Sequence, residues 1–121
     1  MRKTIMTVDD SESILAVVST TLEEEYDVIT VSGGKEALEQ LEKGINIDLI
    51  ITDLNMPLVD GIEVIKKARS ISQYSLKPIL MLTTESQAQK KLEAKEAGAT
   101  GWIVKPFEPE KLKEVVKKVI R

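Results

Sequence analysis

The chain has 121 residues, 42% of them hydrophobic and 31% charged, with no low-complexity tract, so residues 1–121 are expected to fold as one domain. Its 17 basic and 20 acidic residues leave a formal charge of -3, which gives no overall attraction for nucleic acid or an anionic membrane. Cysteine and histidine are both absent, which removes disulfides, thiolate and imidazole chemistry and most zinc sites, so any metal must be held by oxygen.

Ile5 to Val8 is the first strand candidate, and Ile14, Leu15, Val18 and Leu22 after it fall at helical spacing. Val28 to Val31 is the second strand, followed by a helical stripe of Ala37, Leu38 and Leu41. The third strand is expected over Ile47 to Thr52, with a helix after Gly61 carrying Ile62, Ile65 and Ala68 on one side. Ile79 to Thr83 is the fourth. The helix that follows, from Glu85 to Ala97, has only Ala88, Leu92, Ala94 and Ala97 as apolar residues, so it should sit loosely, with Gly98 ending it. Gly101 to Val104 is the fifth strand. The last helix is the clearest, because Leu112, Val115, Val116, Val119 and Ile120 line one face and Pro109 suits its first turn. The apolar runs lack strict alternation, as in strands buried on both faces of a parallel sheet. No run approaches the length of a membrane span and the N-terminus has no signal-peptide pattern, so a cytoplasmic protein is expected.

Strand and helix alternating in this way predict an α/β fold, a doubly wound five-stranded parallel sheet with helices on both faces. Ligands in such folds gather at the C-terminal strand ends. There the sequence places Asp9-Asp10, Asp53, Thr83-Thr84-Glu85 and Lys105-Pro106. Crowded carboxylates repel one another unless a cation neutralises them, and an all-oxygen ligand set suits Mg²⁺. A carboxylate can attack phosphorus to form an acyl phosphate, with a metal, an ammonium and a hydroxyl stabilising the transferred group.

Four segments, Val8-Asp9-Asp10-Ser11, Thr52-Asp53-Leu54-Asn55-Met56-Pro57 with Gly61 after it, Thr83-Thr84 and Lys105-Pro106-Phe107, together resemble the receiver domain of bacterial two-component response regulators. The resemblance spans the whole chain. It implies the flavodoxin-like, or CheY-like, (βα)5 fold with strand order 2-1-3-4-5. It also implies that Asp53 is the phosphoacceptor and that Asp10 and Asp53 ligate Mg²⁺ by carboxylate. Asp9 would act through a metal-bound water and Asn55 through its backbone carbonyl, while Thr83 and Lys105 contact the phosphoryl group and Pro106 follows a cis bond. Thr83 and Trp102 would form the switch pair. Trp102 stands where the family carries Tyr or Phe, and Thr7 is a hydroxyl in a usually aliphatic strand.

Taken singly, these residues have plainer readings. Asp9-Asp10 could cap a helix, Asp53 could start a turn, Thr83 could be a strand residue, Lys105 a surface lysine and Trp102 a packing residue. Lys90, Lys91, Lys95, Lys111, Lys117 and Lys118 read as a solvated face. A phosphatase of the haloacid dehalogenase type would need Asp-x-Asp after the first strand, and a nucleotide- or flavin-binding module would need a Gly-rich loop there; neither pattern occurs. A receiver that is never phosphorylated is disfavoured because every acceptor-site residue is present.

The resemblance therefore implies a signalling domain that is not a conventional enzyme, phosphorylated by a histidine kinase and reset by its own hydrolysis. Phosphorylation is expected to alter the face of the fourth helix, fifth strand and fifth helix. With no residues after the fifth helix for an output domain, the expected output is a protein contact made by a monomer. Chemotaxis, with a flagellar motor switch protein as target, is favoured over a phosphorelay intermediate that passes the group to a phosphotransfer protein.

Overall fold

A computed structural model of the chain describes residues 2–84 and 88–120. The strands are β1 (Thr4–Val8), β2 (Asp27–Val31), β3 (Leu49–Asp53), β4 (Ile79–Thr83) and β5 (Gly101–Val104), and the helices are α1 (Glu12–Leu22), α2 (Gly34–Glu42), α3 (Gly61–Ser70), α4 (Ala88–Ala97) and α5 (Pro109–Val119). All neighbouring strands pair in parallel, in the order β2-β1-β3-β4-β5. This is the expected doubly wound sheet.

Two apolar cores lie on opposite faces of the sheet. Ile5, Leu49, Ile51, Leu80, Leu82 and Ile103 pack with Val18 and Leu22 of α1 and Leu112 and Val116 of α5. Met6, Val8, Ile50, Ile79 and Met81 pack on the other side with Ala37, Leu41, Ile62, Val64, Ile65, Ala68 and Ala94 from α2, α3 and α4. Burial on both faces holds for β1, β3 and β4. It fails for β2 and β5, the sheet edges, whose residues are mostly half-buried or exposed.

The expected bounds of β3 shift at both ends. β3 begins at Leu49 because the Thr4 amide donates to the Asp48 carboxylate at 2.9 Å, leaving buried Ile47 ahead of the ladder. Its last residue is Asp53 itself. The proposed start of the fourth helix at Glu85 lies outside the described residues, as does Ser86. Within α4, Ala94 is fully buried, Leu92 is 52% exposed and Ala97 is partly buried, which agrees with a loosely seated helix. Gly98 ends it at φ 116°, its amide donating to the Ala94 carbonyl.

Sequence spacing gave no sign of the short 3₁₀ turn at Ser72–Tyr74. Tyr74 is fully buried there and donates its hydroxyl to the Ile45 carbonyl at 2.6 Å. Beside it, Arg69 donates to the carbonyls of Gly98, Tyr74, Ser75 and Lys77, tying the end of α4 to α3.

Thr7 sits fully buried in β1 with its hydroxyl unpartnered. An unsatisfied buried hydroxyl costs about 1–3 kcal/mol. Thr7→Val keeps the shape and removes the hydroxyl, so it is expected to raise unfolding free energy by roughly 1 kcal/mol in urea titrations; an equal or lower stability would show that the hydroxyl is satisfied in solution.

Candidate functional site

The strand order reverses around β1, so the crevice between β1 and β3 is the place where a doubly wound sheet opens to ligands. Asp9 follows β1, and Asp53 ends β3. Carboxylate oxygens of Asp9, Asp10 and Asp53 lie within 4.8 Å of one another. Asp9 is fully buried, Asp53 is 8% exposed and Asp10 is open to solvent. The plain capping reading of the acid pair is displaced, because Ser11 is the N-cap of α1, accepting from the Ile14 amide, while its own amide donates to Asp9 Oδ1 at 2.9 Å.

Lys105 enters the cluster from beyond β5. Its Nζ donates to Asp53 Oδ1 at 2.8 Å and, over a longer 3.4 Å, to Asp9 Oδ2. The Lys105 amide donates to the Thr83 carbonyl, and the Lys105-Pro106 bond is cis, as the resemblance implied. Thr83, the last residue of β4, is buried with its hydroxyl unpartnered. Asn55 is exposed just past Asp53. The structure thus brings Asp9, Asp10, Asp53, Thr83 and Lys105 to one edge of the sheet.

Trp102 does not reach that edge. It is 41% exposed on β5, with the Lys91 ammonium 5.8 Å from its ring centroid. Register pairs it with Met81 and pairs Thr83 with Val104, so Trp102 and Thr83 share one face of the sheet, two positions apart. Lys91 therefore belongs to an aromatic contact rather than to a purely solvated face.

Burial raises the Asp9 carboxyl above its ordinary value of 3.8; the Ser11 amide opposes this, the Asp53 charge adds to it, and Lys105 opposes it again. Burial alone would lower the Lys105 ammonium, but the hydrogen bond and charge of Asp53, joined by Asp9, carry it above 10.5. Three acids against one lysine leave excess negative charge in a partly dry place. Such an all-oxygen cluster could hold a hard divalent cation.

Close backbone approach shapes the rim. A Cβ on Gly61 would meet the Asp53 carbonyl at 2.3 Å, and one on Gly34 would meet the Val59 carbonyl at 2.1 Å. Gly61 stood out in sequence within the motif. Gly34 did not, although a Gly33-Gly34 pair directly before a helical stripe was the available signal.

Residues 5–117 match the family described as the response regulator receiver domain. The chain belongs to that family. This receiver domain is 37% identical over 118 residues to the chemotaxis protein CheY1 of Helicobacter pylori, covering 96% of this chain and 95% of that one. It is 43% identical over 122 residues to the alkaline phosphatase synthesis transcriptional regulatory protein PhoP of Bacillus subtilis, covering 100% of this chain but 50% of PhoP. The structure of the Vibrio cholerae chemotaxis response regulator CheY4 superposes with a TM-score of 0.93 at 47% identity, covering 99% of this chain and 100% of that one. Among the described residues, no helix of the receiver domain is long and apolar enough to cross a membrane.

The raised Asp9 value has a pH consequence. The folded state binds that proton more tightly than the unfolded chain does, so ionised Asp9 costs stability above its folded pKa, and the cost fades as pH falls through that value toward 3.8. Asp9→Asn is expected to raise the melting temperature of metal-free protein near neutral pH, by roughly 4 °C per kcal/mol relieved, with the gain vanishing in acid. Thermal melts followed by circular dichroism across pH check this; a gain independent of pH would contradict it.

Proposed function

We propose that this chain is a phosphorylation-activated response regulator in which Asp53 accepts a phosphoryl group from the phosphohistidine of a histidine kinase. The observation that carries the reading is the Lys105–Asp53 contact of 2.8 Å beside Asp9 and Asp10, at the sheet edge of a receiver domain.

The residues fit Mg²⁺: the clustered donors are all carboxylate oxygens, without nitrogen or sulfur, in excess over the one lysine that reaches them. Asp10, Asp53 and the Asn55 backbone carbonyl would hold the ion directly and Asp9 through a water. Bound there, it would neutralise charge on the phosphoryl oxygens. An Asp53 oxygen attacks phosphorus, the P–N bond to the donor imidazole breaks, and its electron pair stays on the ring nitrogen. Lys105, charged across the physiological range, holds the Asp53 carboxylate in place and then donates to an oxygen of the transferred group. The buried Thr83 hydroxyl, unpartnered beforehand, turns to another oxygen of that group. Hydrolysis reverses the state: water attacks phosphorus, the P–O bond to Asp53 breaks, and the carboxylate is restored.

Readout would run from Thr83 to the loosely seated α4 and to Trp102 under Lys91, changing the α4, β5 and α5 face presented to a protein partner. The similarity to the chemotaxis proteins CheY1 and CheY4 supports chemotaxis, with a motor switch protein as partner, over a phosphorelay. The match to PhoP supports a second reading, a receiver domain that controls transcription. In the first reading the 121 residues act as one monomeric, cytoplasmic receiver domain.

Incubation with acetyl phosphate and Mg²⁺ is expected to add one phosphoryl group by intact mass, absent from Asp53→Ala and reduced roughly 100-fold in initial rate in Lys105→Met, the size typical of losing one stabilising donor. A phosphoryl group persisting in Asp53→Ala would overturn the assignment. Pull-downs with a flagellar switch protein and with a phosphotransfer domain separate a motor-switch role from a phosphorelay role.

A further inference from the structure

Leu58 lies in the connection between β3 and α3, five residues beyond Asp53. Its φ of 70° is the one positive value at a non-glycine position among the described residues. The Val59 amide donates to the Pro57 carbonyl across it at 2.8 Å. A bond of that span around a residue of positive φ is the rarer and more strained of the two γ-turn forms. Glycine, asparagine or aspartate would tolerate this backbone far better than leucine.

Burial offers no compensation, because Leu58 is 91% exposed. The turn itself is held from both sides. Gly34 presses against the Val59 carbonyl, and Asp60 caps α3 by accepting from the Glu63 amide at 3.0 Å while the Gly61 amide donates to the Leu54 carbonyl at 2.9 Å. The fold therefore keeps an apolar side chain in water, in a conformation leucine disfavours. Among the described residues, nothing accounts for leucine at this position. Leu76, 95% exposed, differs in having no positive φ, and it precedes β4 at the opposite edge of the sheet.

We infer that Leu58 is an apolar anchor for the protein that delivers the phosphoryl group, a specificity contact separate from the chemistry at Asp53. The inference rests on the phosphoacceptor reading above. Asp53 is 8% exposed, so a donor histidine must approach over the C-terminal strand edge, and a donor protein has to cover the rim where Asn55, Pro57 and Leu58 are exposed. An output partner on α4 and β5 would meet Leu92 and Trp102 instead, toward the β5 end of the sheet. A small donor such as acetyl phosphate carries no protein surface with which to bury Leu58.

The test compares Leu58→Asn and Leu58→Gly with the wild type, using acetyl phosphate and a radiolabelled phosphohistidine-bearing phosphotransfer domain that labels the wild type. Both replacements suit positive φ, so melting temperatures should stay level or rise. Transfer from the protein donor at sub-saturating concentration should fall roughly ten-fold, as expected for losing one buried leucine contact. Labelling by acetyl phosphate should not change. Unaltered transfer from the protein donor in both variants would overturn the inference, as would equal slowing with both donors, which would assign Leu58 to the geometry of the site. Acetyl phosphate on the wild type tests the phosphoacceptor reading by itself, so the two failures are distinguishable.

Discussion

The site depends on one electrostatic constraint: three carboxylates within 4.8 Å of one another, met by one lysine. Folding brings Asp9 out of water and raises its proton affinity, a cost the hydrophobic cores on both sides of the sheet must cover. Lys105 offsets part of it through Asp53. The remaining imbalance leaves the site attractive to added positive charge and unfavourable without it. Four of the five parallel strands deliver these groups to one edge, two acids after β1, one at the end of β3, a hydroxyl at the end of β4 and the lysine after β5.

How much of this was legible in the sequence depends on the kind of signal. β4 and β5 were legible to the residue because turn and helix signals bound their apolar runs. Ile47 misled the reading of β3, since burial and strand membership are different properties and Asp48 interrupts the ladder with its side chain. Tyr74 was invisible as a core residue because its burial depends on a carbonyl 29 positions away in sequence, that of Ile45. Chemical identity at Asp9, Asp10, Asp53, Thr83 and Lys105 was legible from the strand-end rule. What spacing does not encode is which acid is dry. Asp9 is buried and Asp10 exposed, although they are neighbours, because the chain turns into α1 between them and Ser11.

Trp102 shows where a motif stops informing. Its position matched the family while its ring did not, and the structure sets that ring at the surface against Lys91 of α4. Thr83 shares its face of the sheet. Thr83 and Trp102 thus lie on one strand pair, and the aromatic contact ties that pair to α4.

The anchoring of α4 at one end carries a consequence for partner choice. Arg69 fastens the Gly98 carbonyl, while Ala94 is the one side chain of the described part of the helix that lies wholly in the core. Lys90, Leu92 and Lys95 face outward and owe little to the fold. Their identities can drift, or be redesigned, at small thermodynamic cost, so the surface this helix offers to a partner can be rewritten in a few letters while its seat stays fixed.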